Sequence, residues 1–218
     1  MVLIFDEVIT GFRWAPGGAQ QRHGVTPDLT TMAKIVAGGM PGGAVAGKRE
    51  IMQMLAFKDE PGWNATKKVR HQGTYNASPV VSAAGITCLQ KAADARVQAT
   101  CDDLAARLRS GFNAAIVERS VPGYAWGESS VFHVALGESV PNQMGVDMRV
   151  PEGVSAEVLK ESGHGRLNGL LHLGMMLEGV ELFHSGGMTS VTHTTDDIDQ
   201  TIEAFGRTLD RMKEERAF

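Results

Sequence analysis

The chain has 218 residues, a length that suits one large domain or one and a half ordinary ones. Hydrophobic residues make up 43 % and charged residues 21 %, the balance of a globular protein with a core of useful size. A net charge of −4 without any basic run argues against nucleic acid as the main partner. No apolar stretch approaches the ~18 residues of a membrane span.

Val2-Leu3-Ile4-Phe5 is a continuous apolar run, as in a strand buried on both faces. Such a strand needs neighbours on each side, and a domain rarely opens with its central strand. The chain therefore reads as the C-terminal part of something longer. The acids Asp6 and Glu7 follow at once, which is no signal-peptide pattern. Two cysteines, Cys88 and Cys101, without metal-type spacing suit a reducing compartment, so the cytoplasm is the default expectation.

Residues 9–27 read as a long Gly-containing loop, and residues 28–32 as a short turn of helix leading into Ala33-Lys34-Ile35. Gly38-Gly39-Met40-Pro41-Gly42-Gly43 is a tight irregular segment. A short strand is expected at 44–47, a short helix at 49–56 and a loop at 57–77. A helix starts near Ser78-Pro79, with Pro at an allowed early position. A second helix covers about 94–118, with Leu104, Leu108, Phe112 and Ile116 at helical spacing. Residues 121–137 read as strands, 138–153 as loop, 163–178 as helix, and 180–183 and 189–192 as short strands. Thr194 with Asp197 makes a capping-box-like start for the last helix, whose stripe is Ile198, Ile202, Phe205, Leu209 and Met212. A boundary is expected after about residue 92, giving regions 1–92 and 93–218.

Asp6 stands at the carboxy end of an apolar strand, where open α/β sheets bind ligands; an N-cap or loop salt bridge is the plain alternative. Lys34 lies among Met32, Ala33, Ile35, Val36 and Ala37. Desolvation there would lower its pKa and make the neutral amine a nucleophile for aldehydes. The plain alternative is a surface lysine with a buried stem. Thr74, in His71-Gln72-Gly73-Thr74-Tyr75-Asn76-Ala77-Ser78-Pro79, offers a hydroxyl just before a helix, where phosphates bind, or ordinary turn chemistry.

Gly42 to Lys48 fits G-x-x-x-x-G-K, but Arg49 follows where a phosphate-binding loop needs Ser or Thr, and no strand precedes it. A nucleotide binder is therefore carried only as a competing hypothesis. His133, His164, His172, His184 and His193 form no metal-ligand pattern, so no metal is expected. Gly-x-Ser-x-Gly is absent, so no hydrolase elbow is indicated.

Three segments together resemble class III aminotransferases, closest to glutamate-1-semialdehyde aminomutase-like proteins. Leu3-Ile4-Phe5-Asp6-Glu7-Val8-Ile9-Thr10-Gly11-Phe12-Arg13 is similar to their Asp motif. Residues 26–41, around Met32-Ala33-Lys34-Ile35, resemble the Schiff-base lysine motif, and residues 71–79 the phosphate-contact motif. The resemblance runs nearly end to end, to His193-Thr194 and Asp196-Asp197-Ile198-Asp199. It implies an α/β fold: part of a type I pyridoxal-phosphate large domain (1–92), then a small α+β C-terminal domain (93–218).

It also implies roles. Asp6 should pair with the protonated pyridine nitrogen of pyridoxal 5'-phosphate, and Val8 should pack on the ring. Lys34 should hold the cofactor as an internal aldimine and then act as general acid/base. Thr74 should reach the phosphate of a neighbouring subunit's cofactor, which implies a homodimer with shared sites. The expected reaction moves an amino group between an amine or amino acid and a carbonyl compound, both small molecules.

Two departures qualify this. The family's N-terminal portion, which supplies a phosphate-binding loop, a stacked aromatic and much of the sheet, has no match. The chain thus looks like the C-terminal half of a subunit, and a truncated fragment inactive without that half is one alternative. The aminomutases also carry Ser-x-Phe-Glu before the closing His-Thr, whereas Phe183-His184-Ser185-Gly186-Gly187-Met188 is shorter and lacks the Glu. That favours an aminotransferase over the aminomutase. The substrate-carboxylate arginine carried late in ω-aminotransferases is not found either.

Overall fold

A computed structural model describes residues 1–137, 146–161 and 165–218. The described chain divides into two compact units, 1–98 and 99–218.

The N-terminal unit is built on a three-stranded mixed sheet. Strand β1 (Ile4–Asp6) pairs in parallel with β2 (Leu29–Ala33), and β2 pairs antiparallel with β3 (Gly43–Gly47). The register sets Ile4 opposite Leu29 and Asp6 opposite Thr31. The helical turn expected at 28–32 is instead this central strand. Thr30 and Thr31 are β-branched, and both of β2's edges are paired, so tertiary pairing decides the conformation.

The apolar start of the chain does not lie between two neighbours. Among the described residues β1 is an edge strand, with Val2, Leu3 and Ile4 exposed at 55, 46 and 55 %. The expectation of burial on both faces fails because nothing among the described residues packs over these side chains. The long segment 9–27 also contains a helix, α1 (Gly18–His23), which local patterning did not announce.

Within the Gly42-to-Lys48 run, Gly43–Gly47 is strand β3, antiparallel to β2, rather than a loop cradling phosphate. Lys48 Nζ sits 2.6 Å from Asp28 Oδ1, while Asp28 Oδ2 accepts the Leu3 N–H at 2.7 Å. Asp28 thus ties both outer strands across β2, and its carboxyl is held below the usual range by Lys48 first and the Leu3 N–H next. After β3 come a helical turn, α2 (Arg49–Met52), and helix α3 (Pro79–Ala92), with Pro79 in its first turn.

Helix α4 (Ala95–Glu118) contains the division between the units. The C-terminal unit has an antiparallel sheet of β4 (Gly123–Trp126), β5 (Val131–Leu136) and β6 (Gly186–Met188), with β5 central. Helices α5 (Ala156–Glu161), α6 (Arg166–Leu177) and α7 (Thr195–Glu214) complete it. The expected strand at 180–183 reduces to an isolated bridge between Phe183 and Gly186. The strand expected at 189–192 lies earlier, because β5 offers its free edge to Gly186–Met188.

Phe112 of α4 is fully buried and stacks on Phe205 of α7 at 4.0 Å between ring centres, with Phe132 edge-on at 5.9 Å. Leu104, Leu108 and Ile116 extend this face against Ile198, Leu209 and Met212. Helix α7 opens with a complete capping box: Asp197 N–H donates to Thr194 Oγ1, and Thr194 N–H to Asp197 Oδ2 at 2.7 Å.

Truncating Phe112 to Ala leaves a cavity at the meeting of α4, α7 and the sheet. Urea denaturation followed by circular dichroism should show a loss of ~3–5 kcal/mol.

Candidate active site

Strand alternation sends Asp6 and Glu7 to opposite faces of β1. Asp6 is exposed; Glu7 is 1 % exposed. Asp6 Oδ1 accepts the Val8 N–H at 3.1 Å and the Thr31 hydroxyl at 3.4 Å, and Asp6 Oδ2 accepts no hydrogen bond among the described residues. One oxygen is thereby fixed and the other is open. Because β1 and β2 are parallel, the ends that carry Asp6 and Lys34 lie on the same side of the sheet.

Lys34 begins a 3-10 turn (Lys34–Ala37) directly after β2 and has φ +53°, in the left-handed region. A lysine gives up roughly 1–2 kcal/mol there, so the surroundings must enforce it. Two glycines admit a close contact beside it. A Cβ on Gly38, itself left-handed at φ +63°, would collide with the Ala84 carbonyl of α3. A Cβ on Gly85 would lie 2.5 Å from the Val36 carbonyl. The lysine turn and α3 therefore meet backbone to backbone.

The Lys34 side chain is exposed and makes no hydrogen bond or ion pair among the described residues. The desolvation suggested by its apolar neighbours is not there. Met32, Ala33, Ile35 and Val36 are only half-buried. A free primary amine and a carboxylate with an open oxygen thus flank the ends of two adjacent parallel strands.

Val8 is half-buried and contributes its N–H to Asp6. Thr74 lies in the exposed turn before α3, where Asn76 N–H donates to Gly73 O at 3.1 Å. No hydrogen bond among the described residues joins Thr74 to Asp6 or Lys34. A hollow of about 610 Å³ does lie between the two motifs, lined by Val36 and Ala37 on one side and by Tyr75, Asn76, Ala77 and Ser78 on the other.

Sequence reasoning missed Glu7. Its carboxylate accepts from Thr10 Oγ1 at 2.7 Å, Ala19 N at 2.8 Å, Gln20 N at 3.0 Å and Gln20 Nε2 at 3.4 Å. Burial acts to raise its pKa, but the Gln20 and Ala19 amides and the Thr10 hydroxyl outweigh it, and the carboxyl stays below its ordinary value. The available signal was the period-2 rule, which turns the neighbour of an exposed Asp inward.

The histidines are packed singly. His133 lies 4.6 Å from Trp126 between ring centres, His172 is 3.8 Å from Glu181, His184 meets Phe183 edge-on, and His193 Nδ1 accepts the Ser190 N–H. His164 lies outside the described residues. No three His, Cys, Asp or Glu among the described residues are grouped to hold a metal.

The family model described as "Aminotransferase class-III" matches residues 1–125, more than half of the chain. Among solved structures, an omega-transaminase from Sphaerobacter thermophilus shares 32 % identity over 96 % of this chain and 44 % of its own, with a TM-score of 0.75. A beta-phenylalanine aminotransferase from Variovorax paradoxus shares 26 % over 98 % of this chain and 45 % of its own, TM-score 0.71. A glutamate-1-semialdehyde-aminomutase from Pseudomonas aeruginosa PAO1, at 20 % identity over 96 % of this chain and 44 % of its own, has a TM-score of 0.76 and shares the fold. The chain spans less than half the length of these structures.

Two expectations follow. Gly85→Ala should push α3 off the lysine turn and cost ~1–3 kcal/mol in urea denaturation. For Glu7 the folded pKa is lowered, so its stabilisation is complete above the unfolded glutamate value and is lost as pH falls through the folded one. The stability gap between the parent and Glu7→Gln should be widest near neutrality and should narrow below about pH 4.3, read from urea midpoints across a pH series.

Proposed function

We propose an amino-group transfer function for this chain, which belongs to the class III aminotransferase family. The observation that carries it is the pairing of an open Asp6 carboxylate with an unpartnered Lys34 amine at the ends of adjacent parallel strands. That donor set suits pyridoxal 5'-phosphate: a carboxylate for a protonated ring nitrogen and a primary amine for an aldehyde. When bound, the cofactor supplies the electron sink that makes the donor's Cα proton removable.

The chain's own residues then divide the work. Asp6, braced by the Val8 N–H and the Thr31 hydroxyl, would hold the proton of the ring nitrogen. Val8 offers an apolar surface to the ring. Lys34 would hold the cofactor through its Nζ, and its amine is the group placed to accept the donor's Cα proton as general base. Thr74, exposed on its turn, is free to reach a phosphate across a homodimer interface.

We read unit 1–98 as part of the type I large domain, and the unit holding the antiparallel sheet as the small C-terminal α+β domain. A cytoplasmic location suits a chain with two cysteines, Cys88 and Cys101, that form no disulfide among the described residues. The missing Glu in 183–188 favours an aminotransferase over an aminomutase, with an amine or amino acid as donor and a carbonyl compound as acceptor.

A second reading, that the site closes only with a further polypeptide segment, is favoured by the exposed apolar edge strand. One experiment tests both. Pyridoxal phosphate is added, the visible band of lysine-bound cofactor is recorded, and borohydride is used to fix the label for mass spectrometry. The expected result is one label on Lys34, with no band or label in Lys34→Ala and transamination reduced by roughly 10²–10⁴-fold or more. A band that forms only when the N-terminal half of a relative is supplied supports the second reading. Labelling elsewhere, or no band in either case, would overturn the assignment.

A further inference from the structure

The Glu7 carboxylate is an expensive way to close a loop. A buried charge is costly, and an apolar side chain of similar size would fill the same space without that cost. Here the charge is satisfied by four donors from three residues, Thr10, Ala19 and Gln20. Two glycines close on Glu7, Gly18 on its carboxylate and Gly11 on its main-chain carbonyl. Gly18 sits at φ +74°, and a Cβ there would lie 2.7 Å from Glu7 Oε1. Gly11 donates its N–H to Glu7 O at 3.0 Å, and a Cβ there would lie 2.7 Å from the same oxygen. The loop is built to receive this side chain.

What the loop controls is the peptide on either side of Glu7. On one side, Glu7 N–H donates to Thr31 O at 2.9 Å and prolongs the β1–β2 ladder past Asp6. On the other, the chain turns at once, and the Val8 N–H swings back onto Asp6 Oδ1. Asp6 is therefore oriented by a turn whose anchor is Glu7. We infer that Glu7 is a positioning residue: its buried carboxylate locks residues 8–20 and thereby fixes the Asp6 carboxylate for the cofactor's ring nitrogen. This rests on the cofactor reading proposed above. Glu7 touches neither cofactor nor substrate; it acts through Asp6.

Glu7→Gln keeps the size but turns one acceptor oxygen into a donor facing the Ala19 or Gln20 amide. Titration of pyridoxal phosphate followed by the visible band should show affinity weakened about 10- to 100-fold, the usual range for losing an orienting partner behind a binding group. In an Asp6→Asn background the same change should cost no more than about twofold, because its route is already cut. Thr10→Val, which removes one donor and leaves the charge, should give a smaller loss that also vanishes in that background. Urea midpoints identify any variant that has lost its fold, and Thr10→Val then carries the cycle.

A second readout needs no cofactor. Amide hydrogen exchange on the cofactor-free protein should quicken in Glu7→Gln not only at Ala19 and Gln20 but also at Val8. Equal losses in both backgrounds, or a Val8 amide that does not respond, would show a purely structural role and overturn the assignment. A parent without a Lys34-dependent band overturns the cofactor reading instead, and the Val8 amide alone then decides whether Glu7 orients Asp6.

Discussion

Parallel pairing of Ile4–Asp6 with Leu29–Thr31 is the constraint on which the N-terminal unit depends. Parallel strands end on the same side, so a carboxylate at the end of one strand and an amine just after the next come to the same end of the sheet. Asp28 makes that pairing possible at the other end, holding the Leu3 N–H with one oxygen and Lys48 with the other. One side chain thus registers three strands. The exposed ion pair adds little stability by itself, since such pairs are worth at most about 1 kcal/mol. Its contribution is geometric.

The C-terminal unit solves a different problem, that of seating a long helix on a small sheet. Apolar stacking of Phe112 on Phe205 provides the burial, and two polar residues of α4 fix the register. Asn113, fully buried, donates to the Ala125 and Val146 carbonyls and accepts the Ala125 N–H at 2.7 Å. Arg109, 3 % exposed, donates to the Ser129 and Val131 carbonyls and pairs with Asp147 at 2.5 Å. Both satisfy backbone groups of the edge strand β4, the start of β5 and the adjoining loops, so their burial is compensated. Hydrophobic packing alone would let α4 slide over the sheet; these directional bonds do not.

Elements carried by local periodicity were legible in the sequence. Helices α4 and α7 have apolar residues at helical spacing, and the Thr194–Asp197 capping box is written in adjacent positions. Strand β3 showed as a short apolar run between glycines. Where long-range pairing decides, the reading failed. Residues 29–33 carry no alternation and become a strand because both edges are paired. Helix α1 exists because Glu7, more than ten residues earlier, caps its first amides. Burial was the least legible quantity. Val2-Leu3-Ile4-Phe5 and the neighbours of Lys34 look like core by composition, yet the exposure of a residue depends on what lies across from it, which composition does not encode.

The backbone at Lys34 shows how the site is held although the side chain is open. A left-handed lysine is unfavourable in isolation, and it persists because Gly38 and Gly85 let α3 approach the turn to contact distance. Any side chain at either glycine would push α3 away and let Lys34 relax toward ordinary φ, which would re-aim its amine relative to Asp6. Asp6 is held by the same logic from the opposite side of the chain: Gly18 admits the Glu7 carboxylate, Gly11 closes on the Glu7 backbone carbonyl, and the turn that Glu7 anchors delivers the Val8 amide to Asp6. Both chemically useful side chains are exposed, and both are oriented from behind by glycine-permitted close contacts. Rigidity at this site therefore resides in the backbone, and substitutions at four glycines that carry no chemistry should disturb it as much as changes to the polar groups themselves.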